Sequence, residues 1–265
     1  IVIPSVISGN NLYNPESSRY SMSSYEDTDT RGIPLLGKKT TNYLYNKHLD
    51  CNLYRVFNNG KFDEGGRFYG GDYQLLSEIK RAEILINNLP VVEIDFSGLH
   101  GRMIYQYYEK IDYRDDPYLI KDFKELRPAF KKMFQMCINA TGRKASIGAF
   151  NKSLIEDEDG WELKKLMNRF NASAEWLYDT LFKKHERINH HFSKGEGIKL
   201  QYVDSMIAEI VLKHFTHREI PCLPIHDSFL VPENYKDELI EVMKREYKRI
   251  VRFECKLKIN GREEE

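Results

Sequence analysis

Hydrophobic positions fall along this chain in two rhythms. Short apolar runs at residues 82–86, 91–96, 222–223 and 229–231 are each bounded by turn-forming residues, and they predict strands. Asn87-Asn88-Leu89-Pro90 would close the first two into a hairpin, and His226-Asp227 sits between the second two. A slower rhythm runs through Val203, Met206, Ile207, Ile210, Val211 and Phe215, which predicts a core helix over 200–215. Further helices are predicted over 99–108, from Pro128 to Ala140, once or twice within 161–192, and over 235–250. Pro128 suits a first helical turn, where its missing N–H costs nothing. A last strand is predicted around 253–259. Residues 1–32 are polar and read as an extended arm, and 40–49 as a short helix. Hairpin, helices, helix, hairpin, helix and strand make an α+β layer rather than an alternating parallel sheet.

Composition narrows this picture only a little. With 265 residues, 41% hydrophobic and 30% charged, the chain reads as a soluble globular protein. No apolar run approaches the roughly 20 residues that span a bilayer, so no membrane partner and a cytoplasmic location are expected. The chain begins at Ile, which reads as a fragment or processed core of a longer protein. Cys51, Cys137, Cys222 and Cys255 lack the spacing of a zinc site or disulfide scaffold, which suits a reducing compartment. Formal net charge is zero, yet residues 121–150 hold seven basic side chains against two acidic ones, a net of +5. Such a segment can attract phosphates or can simply be a solvated helix face.

The candidate chemistry lies in two carboxylates. Asp95 ends the apolar run Val91-Val92-Glu93-Ile94, and Asp227 occupies the turn of the later hairpin. A single strand-end Asp is commonly a cap or turn residue. Two of them on rigid strand ends can clamp a pair of Mg²⁺ ions about 3.5–4 Å apart. The glycine-dense stretch 60–71 lacks the Gly-Lys-Ser/Thr of a phosphate loop, so it reads as a hairpin or a site of close backbone approach. His190-His191 have no partner at ligand spacing and read as surface residues rather than metal ligands.

With these residues in place, the chain resembles the palm and fingers of family A DNA polymerases and of bacteriophage-type single-subunit RNA polymerases. Asp95-Phe-Ser-Gly-Leu-His-Gly-Arg102 is similar to their first metal motif, and Ile225-His226-Asp227-Ser228-Phe229 to the second, in the His-Asp-Ser-Phe form of the RNA polymerases. Arg127 and Lys131 match the fingers helix that grips the incoming triphosphate. Gly66-Arg67 and Gln74 echo a segment that contacts template and primer, and Gln201 and Asp204 echo a helix near the primer strand. The resemblance covers roughly residues 60–260 in five short matches in the correct order.

It implies a right-hand palm, an antiparallel sheet packed on helices, with a helical fingers insertion. The expected division is an arm over 1–59, palm over 60–116, fingers over 117–196 and palm again over 197–265. It also implies two Mg²⁺ or Mn²⁺ ions on Asp95 and Asp227, with catalytic help from Lys131. Triphosphate would lie against Arg127 and Lys131, and nucleic acid against Arg67, Gln74, Gln201 and His226. The implied partners are a DNA template with a primer or an RNA product, nucleoside triphosphates, and a thumb or helicase supplied separately. The implied setting is replication of a phage, plasmid or other mobile element. Three departures bear on sugar choice: His100 stands where the DNA polymerases place a ribose-excluding Glu, Asn139-Ala140 replace a Tyr-Gly, and Gln135 replaces an aromatic residue. Primase-like activity and ribonucleotide use are therefore expected. The competing readings are a degenerate palm that binds nucleic acid or scaffolds a complex, and a nuclease with the same two-metal chemistry.

Overall fold

Period-two alternation in the strand that carries Asp95 decides which way its side chains face. In a computed structural model, which describes residues 49–263, this is β4, Leu89–Phe96. Val92, Ile94 and Phe96 are buried while Val91, Glu93 and Asp95 keep partial exposure, as one covered and one open sheet face require. The strands that precede it are β1 (Tyr54–Phe57), β2 (Gly65–Tyr69) and β3 (Leu85–Ile86). Those that follow are β5 (Leu223–Ile225), β6 (Ser228–Pro232), β7 (Leu257–Ile259) and β8 (Arg262–Glu263). The main sheet is antiparallel in the order β5-β6-β4-β7-β8, with β3 also paired to β4, while β1 and β2 form a separate hairpin.

Among the described residues, eight α-helices cover the sheet and fill the long connection between its halves. They are α1 (Glu78–Arg81), α2 (Leu99–Met103), α3 (Arg127–Asn139), α4 (Arg143–Glu156), α5 (Gly160–Arg169), α6 (Ala174–Lys184), α7 (Gly197–Thr216) and α8 (Lys236–Val251). Helix α8 lays Leu239, Val242, Met243, Tyr247 and Val251 toward the core, and Tyr247 meets Phe96 of β4 at 5.6 Å between ring centroids. The long α7 packs between α8 and the β1–β2 hairpin. Arg55 ties that hairpin to α7, donating to Glu209 at 2.8 Å and to Ser205 Oγ at 3.0 Å. At Gly66, φ is +84° and a Cβ would meet Ser205 Oγ at 2.9 Å, so the glycine admits the helix itself. No described helix is long and apolar enough to cross a membrane, and all four cysteines are free.

The arm over 1–32 and most of the helix over 40–49 lie outside the described residues, and Tyr54–Phe57, at the end of the partly extended 1–59 arm, form β1. Other expectations need correction. The strand over 82–86 shrinks to Leu85–Ile86, because Ser77 caps α1 and its turn extends through Ile84. Asn87 and Asn88 both take positive φ, at 53° and 60°, so they make a two-residue turn and Leu89-Pro90 join β4. Helix α4 was not foreseen: its buried stripe is Ser146, Ile147, Phe150 and Ser153, half of it serine. Ser153 Oγ bonds back to the Phe150 carbonyl at 2.8 Å and Ser146 Oγ meets Ser193 Oγ at 2.8 Å, which lets polar residues line a core.

Beyond α2 the chain widens into a π-helical turn, Ile104–Tyr108, which presents Tyr105 to α6. The fully buried His185, at the end of α6, takes the Tyr105 hydroxyl proton on Nδ1 at 2.7 Å and donates from Nε2 to the Pro117 carbonyl at 2.8 Å. Burial, then the Lys184 charge, lowers its pKa to about 4. It is therefore neutral in the fold but protonates when released, so stability should fall as pH drops from 6.5 to about 4. Thermal denaturation over that range should show the decline. His185→Gln, which cannot charge, should flatten it; an undiminished slope would acquit His185.

Candidate active site

Register brings the two candidate carboxylates together. β4 pairs with β6 so that Asp95 lies opposite Ser228, the residue after Asp227, and the Phe96 N–H reaches the Asp227 carbonyl at 3.4 Å. His226 and Asp227 form the two-residue turn between β5 and β6, with His226 at φ +55°. On the other side β7 places Lys258 opposite Asp95. Burial first, and then the Asp227 charge, raise the Asp95 carboxyl to about 7, against the opposing pull of Lys258 and Lys131. Two cations within electrostatic reach leave the pair undercompensated, and both ligands are hard oxygens, the donor set that suits Mg²⁺ or Mn²⁺.

Glu93, two residues before Asp95 on the same face, is already committed. Arg81 grips it with two bonds of 2.8 and 2.9 Å, and the Ser228 hydroxyl donates to it at 2.7 Å. A second knot stands on α7. Nearly buried Asp204 accepts from Arg67 of β2 at 2.5 Å and pairs with His100 Nε2 of α2 at 2.7 Å. That carboxylate keeps the Arg67 guanidinium protonated despite burial, with Asp227 adding a smaller pull. Gln201 lies half-buried one turn before Asp204. His226 keeps an exposed edge and meets Tyr69 edge-on at 5.6 Å; partial desolvation, then the Arg67 charge, lowers its pKa.

Helix α3 supplies the cationic wall. Its core face is Ala129, Phe130, Met133, Phe134, Cys137 and Ile138, so Arg127, Lys131, Gln135 and Asn139, four residues apart, line the opposite face. Lys131 is exposed and makes no ion pair with a described residue, and its charge is felt at Asp95. Arg127 is bound to Asp116 at 2.5 Å and lies over the Tyr118 ring at 5.6 Å. Asn139 is exposed and its amide donates to the Gln135 carbonyl at 2.8 Å.

Two of the motif residues are spent on the chain's own backbone. Gln74 spends its amide on the Phe68 and Pro224 carbonyls, at 3.0 and 2.8 Å. Arg102 is buried and its guanidinium donates to the Ser97 and Asp115 carbonyls, so it supports the turn after Asp95. The net +5 segment is smaller than its sequence suggests. Arg127, Lys132 and Arg143 are neutralised by Asp116, by Asp157 with Asp159, and by Asp179, all from outside it. Lys258, Arg81 and Tyr69 were missed, since only strand pairing and tertiary packing bring them to the site. Glu93 could have been found, because a period of two puts it beside Asp95.

No family model matches the chain, and no curated protein matches its sequence. Among solved structures, the POL domain of Pol1 from M. smegmatis, in complex with DNA primer-template and dNTP, is similar in fold. The TM-score is 0.40 at 10% identity, over 97% of this chain. The chain spans 62% of the length of that structure.

The strained carboxylate pair has a measurable signature. Ionising Asp95 is penalised in the fold, so its cost is absent below pH 3.8 and complete above about 7. Asp95→Asn, compared with the parent in EDTA, should therefore gain about 1–3 kcal/mol at pH 8 and almost nothing near pH 4. Denaturant titration at both pH values measures it. A variant no more stable at pH 8 would show that the two carboxylates do not oppose each other.

Proposed function

We propose that this chain is a template-directed nucleotidyltransferase, a polymerase or primase, working by two-metal phosphoryl transfer. One observation carries the reading: strand register sets Asp95 beside Asp227, facing the exposed cation Lys131 on a helix of the connecting insertion. A cap or turn aspartate has no need of a second carboxylate that raises its own pKa. On this reading the sheet halves, 60–116 and 197–265, act as palm and 117–196 as fingers.

Asp95 and Asp227 would hold the divalent ions, whose bound charge lowers the pKa of an attacking 3′-hydroxyl and offsets charge on the triphosphate. The remaining work falls to side chains. Lys131 neutralises the departing pyrophosphate, and its flexible ammonium can follow the charge as it develops. Arg127 reaches triphosphate oxygens by exchanging Asp116 for phosphate, so Asp116 keeps it oriented until substrate arrives. His226, poised on its turn against Tyr69, positions the primer end. Arg67, held by Asp204, presents a fixed cation beside it.

On single-stranded template with Mg²⁺ or Mn²⁺, the protein should extend or initiate a strand. Asp95→Ala or Asp227→Ala should reduce this by at least about a thousandfold with the fold intact. Lys131→Ala should lower kcat and raise KM together, costing about ten- to a hundredfold in kcat/KM. Activity retained in both aspartate variants would overturn their assignment as metal ligands, and template binding without any strand synthesis by the parent would leave a nucleic-acid-binding scaffold. Cleavage of labelled DNA without nucleotides would indicate a nuclease instead.

Sugar choice follows from how His100 is held. Its Nε2 is engaged by Asp204, so the imidazole is a braced polar group rather than a free wall. A site that can pair a hydroxyl favours the substrate that carries it. Ribonucleotides should therefore be incorporated at a rate comparable to deoxyribonucleotides when both are present equally. A deoxyribonucleotide preference above about a thousandfold, or about 4 kcal/mol, would make His100 a working gate against ribose.

A further inference from the structure

Away from the carboxylate pair, three metal-ligating side chains converge. Glu109 follows the π-helical turn that extends α2, and His190 and His191 form a short turn ahead of α7. Glu109 Oε1 lies 2.7 Å from His191 Nε2 and 3.1 Å from His190 Nε2. All three donor atoms fall within 4.8 Å of one another. The ring of His191 stacks on Tyr108 at 5.0 Å and beside His190 at 4.2 Å, which fixes the direction of both imidazoles. Residues 81 positions apart in sequence meet here, so sequence spacing gave no hint of the third ligand.

We infer that Glu109, His190 and His191 form a divalent transition-metal site, with Zn²⁺ as its natural occupant. Metal–ligand bonds of about 2.0–2.2 Å in tetrahedral geometry put donor atoms about 3.3 Å apart. The observed Glu–His separations of 2.7 and 3.1 Å would open to that value, and the two imidazole nitrogens, within 4.8 Å of each other, would settle to the same spacing. Two imidazoles and one carboxylate favour Zn²⁺ or its neighbours over Mg²⁺, which separates this site from the all-oxygen pair at Asp95 and Asp227. His190 is largely exposed, leaving a fourth position for water. His191 and Glu109 are more enclosed, so the ion is held rather than merely adsorbed. Such an ion would staple the π-helical turn that follows α2 to the short turn ahead of α7. The inference is independent of the polymerase reading.

The test uses the full chain carrying Asp95→Asn and Asp227→Asn, stripped with EDTA, so that the oxygen site does not compete. Calorimetric titration with Zn²⁺ should show one ion bound with micromolar or tighter affinity. Co²⁺ should give the visible absorption of a four- or five-coordinate nitrogen–oxygen site. Glu109→Gln and His191→Ala should each weaken binding at least about tenfold. Exposed His190→Asn should do the same without disturbing circular dichroism, which guards against a misfolded variant. Absence of Zn²⁺ binding by the parent, or undiminished affinity in the three variants, would overturn the site.

Discussion

The structure depends on the pairing register of β4 with β6. Val92, Ile94 and Phe96 must face α8 and the core, which forces Glu93 and Asp95 onto the opposite face. Because side chains alternate with a period of two, a slip of one residue would bury Asp95 and expose the core stripe. The same hydrophobic burial that stabilises the sheet thus turns the acidic group to its less buried face. It also holds Asp95 against Asp227 although the two repel, a local cost that the surrounding core offsets.

Around this pair the molecule deploys charge economically. Arg81 with Glu93, Arg67 with Asp204 and His100, and Arg127 with Asp116 are each matched within the fold. Lys131 and Lys258 are the cations whose fields act on Asp95. A chain of zero formal charge can in this way keep a locally polarised cluster, since pairing elsewhere cancels what the segment total would suggest. The helical insertion is tied to the preceding segment by a contact of another kind, the buried His185 that bonds Tyr105 and Pro117.

Much of this was legible in the sequence where one pattern had one meaning. The Val203–Phe215 stripe, Pro128 opening α3 and the His226-Asp227 turn each follow from local spacing, and the structure contains all three elements. Helix α4 was hidden because serines occupy half its buried face and satisfy themselves through the backbone and Ser193. Strand β1 was hidden because only pairing with β2 gives its alternation a partner. At the site, Asp95 and Asp227 stood out as strand-end carboxylates. Lys258, Arg81 and the Glu109–histidine cluster depend on long-range juxtaposition, which no local rule encodes. Gln74 shows the reverse case, a residue whose resemblance to a nucleic-acid contact conceals two bonds to the chain's own backbone.

Those bonds have a consequence for how molecules of this protein meet one another. Among the described residues β5 is paired on one side only, so its outer edge offers a template for a foreign strand. Pro224, at the centre of β5, has no N–H to offer, and its carbonyl is occupied by the Gln74 amide. Donor and acceptor are both withdrawn at the middle of the edge. Neighbouring copies can therefore approach one another closely without their sheets fusing edge to edge along β5.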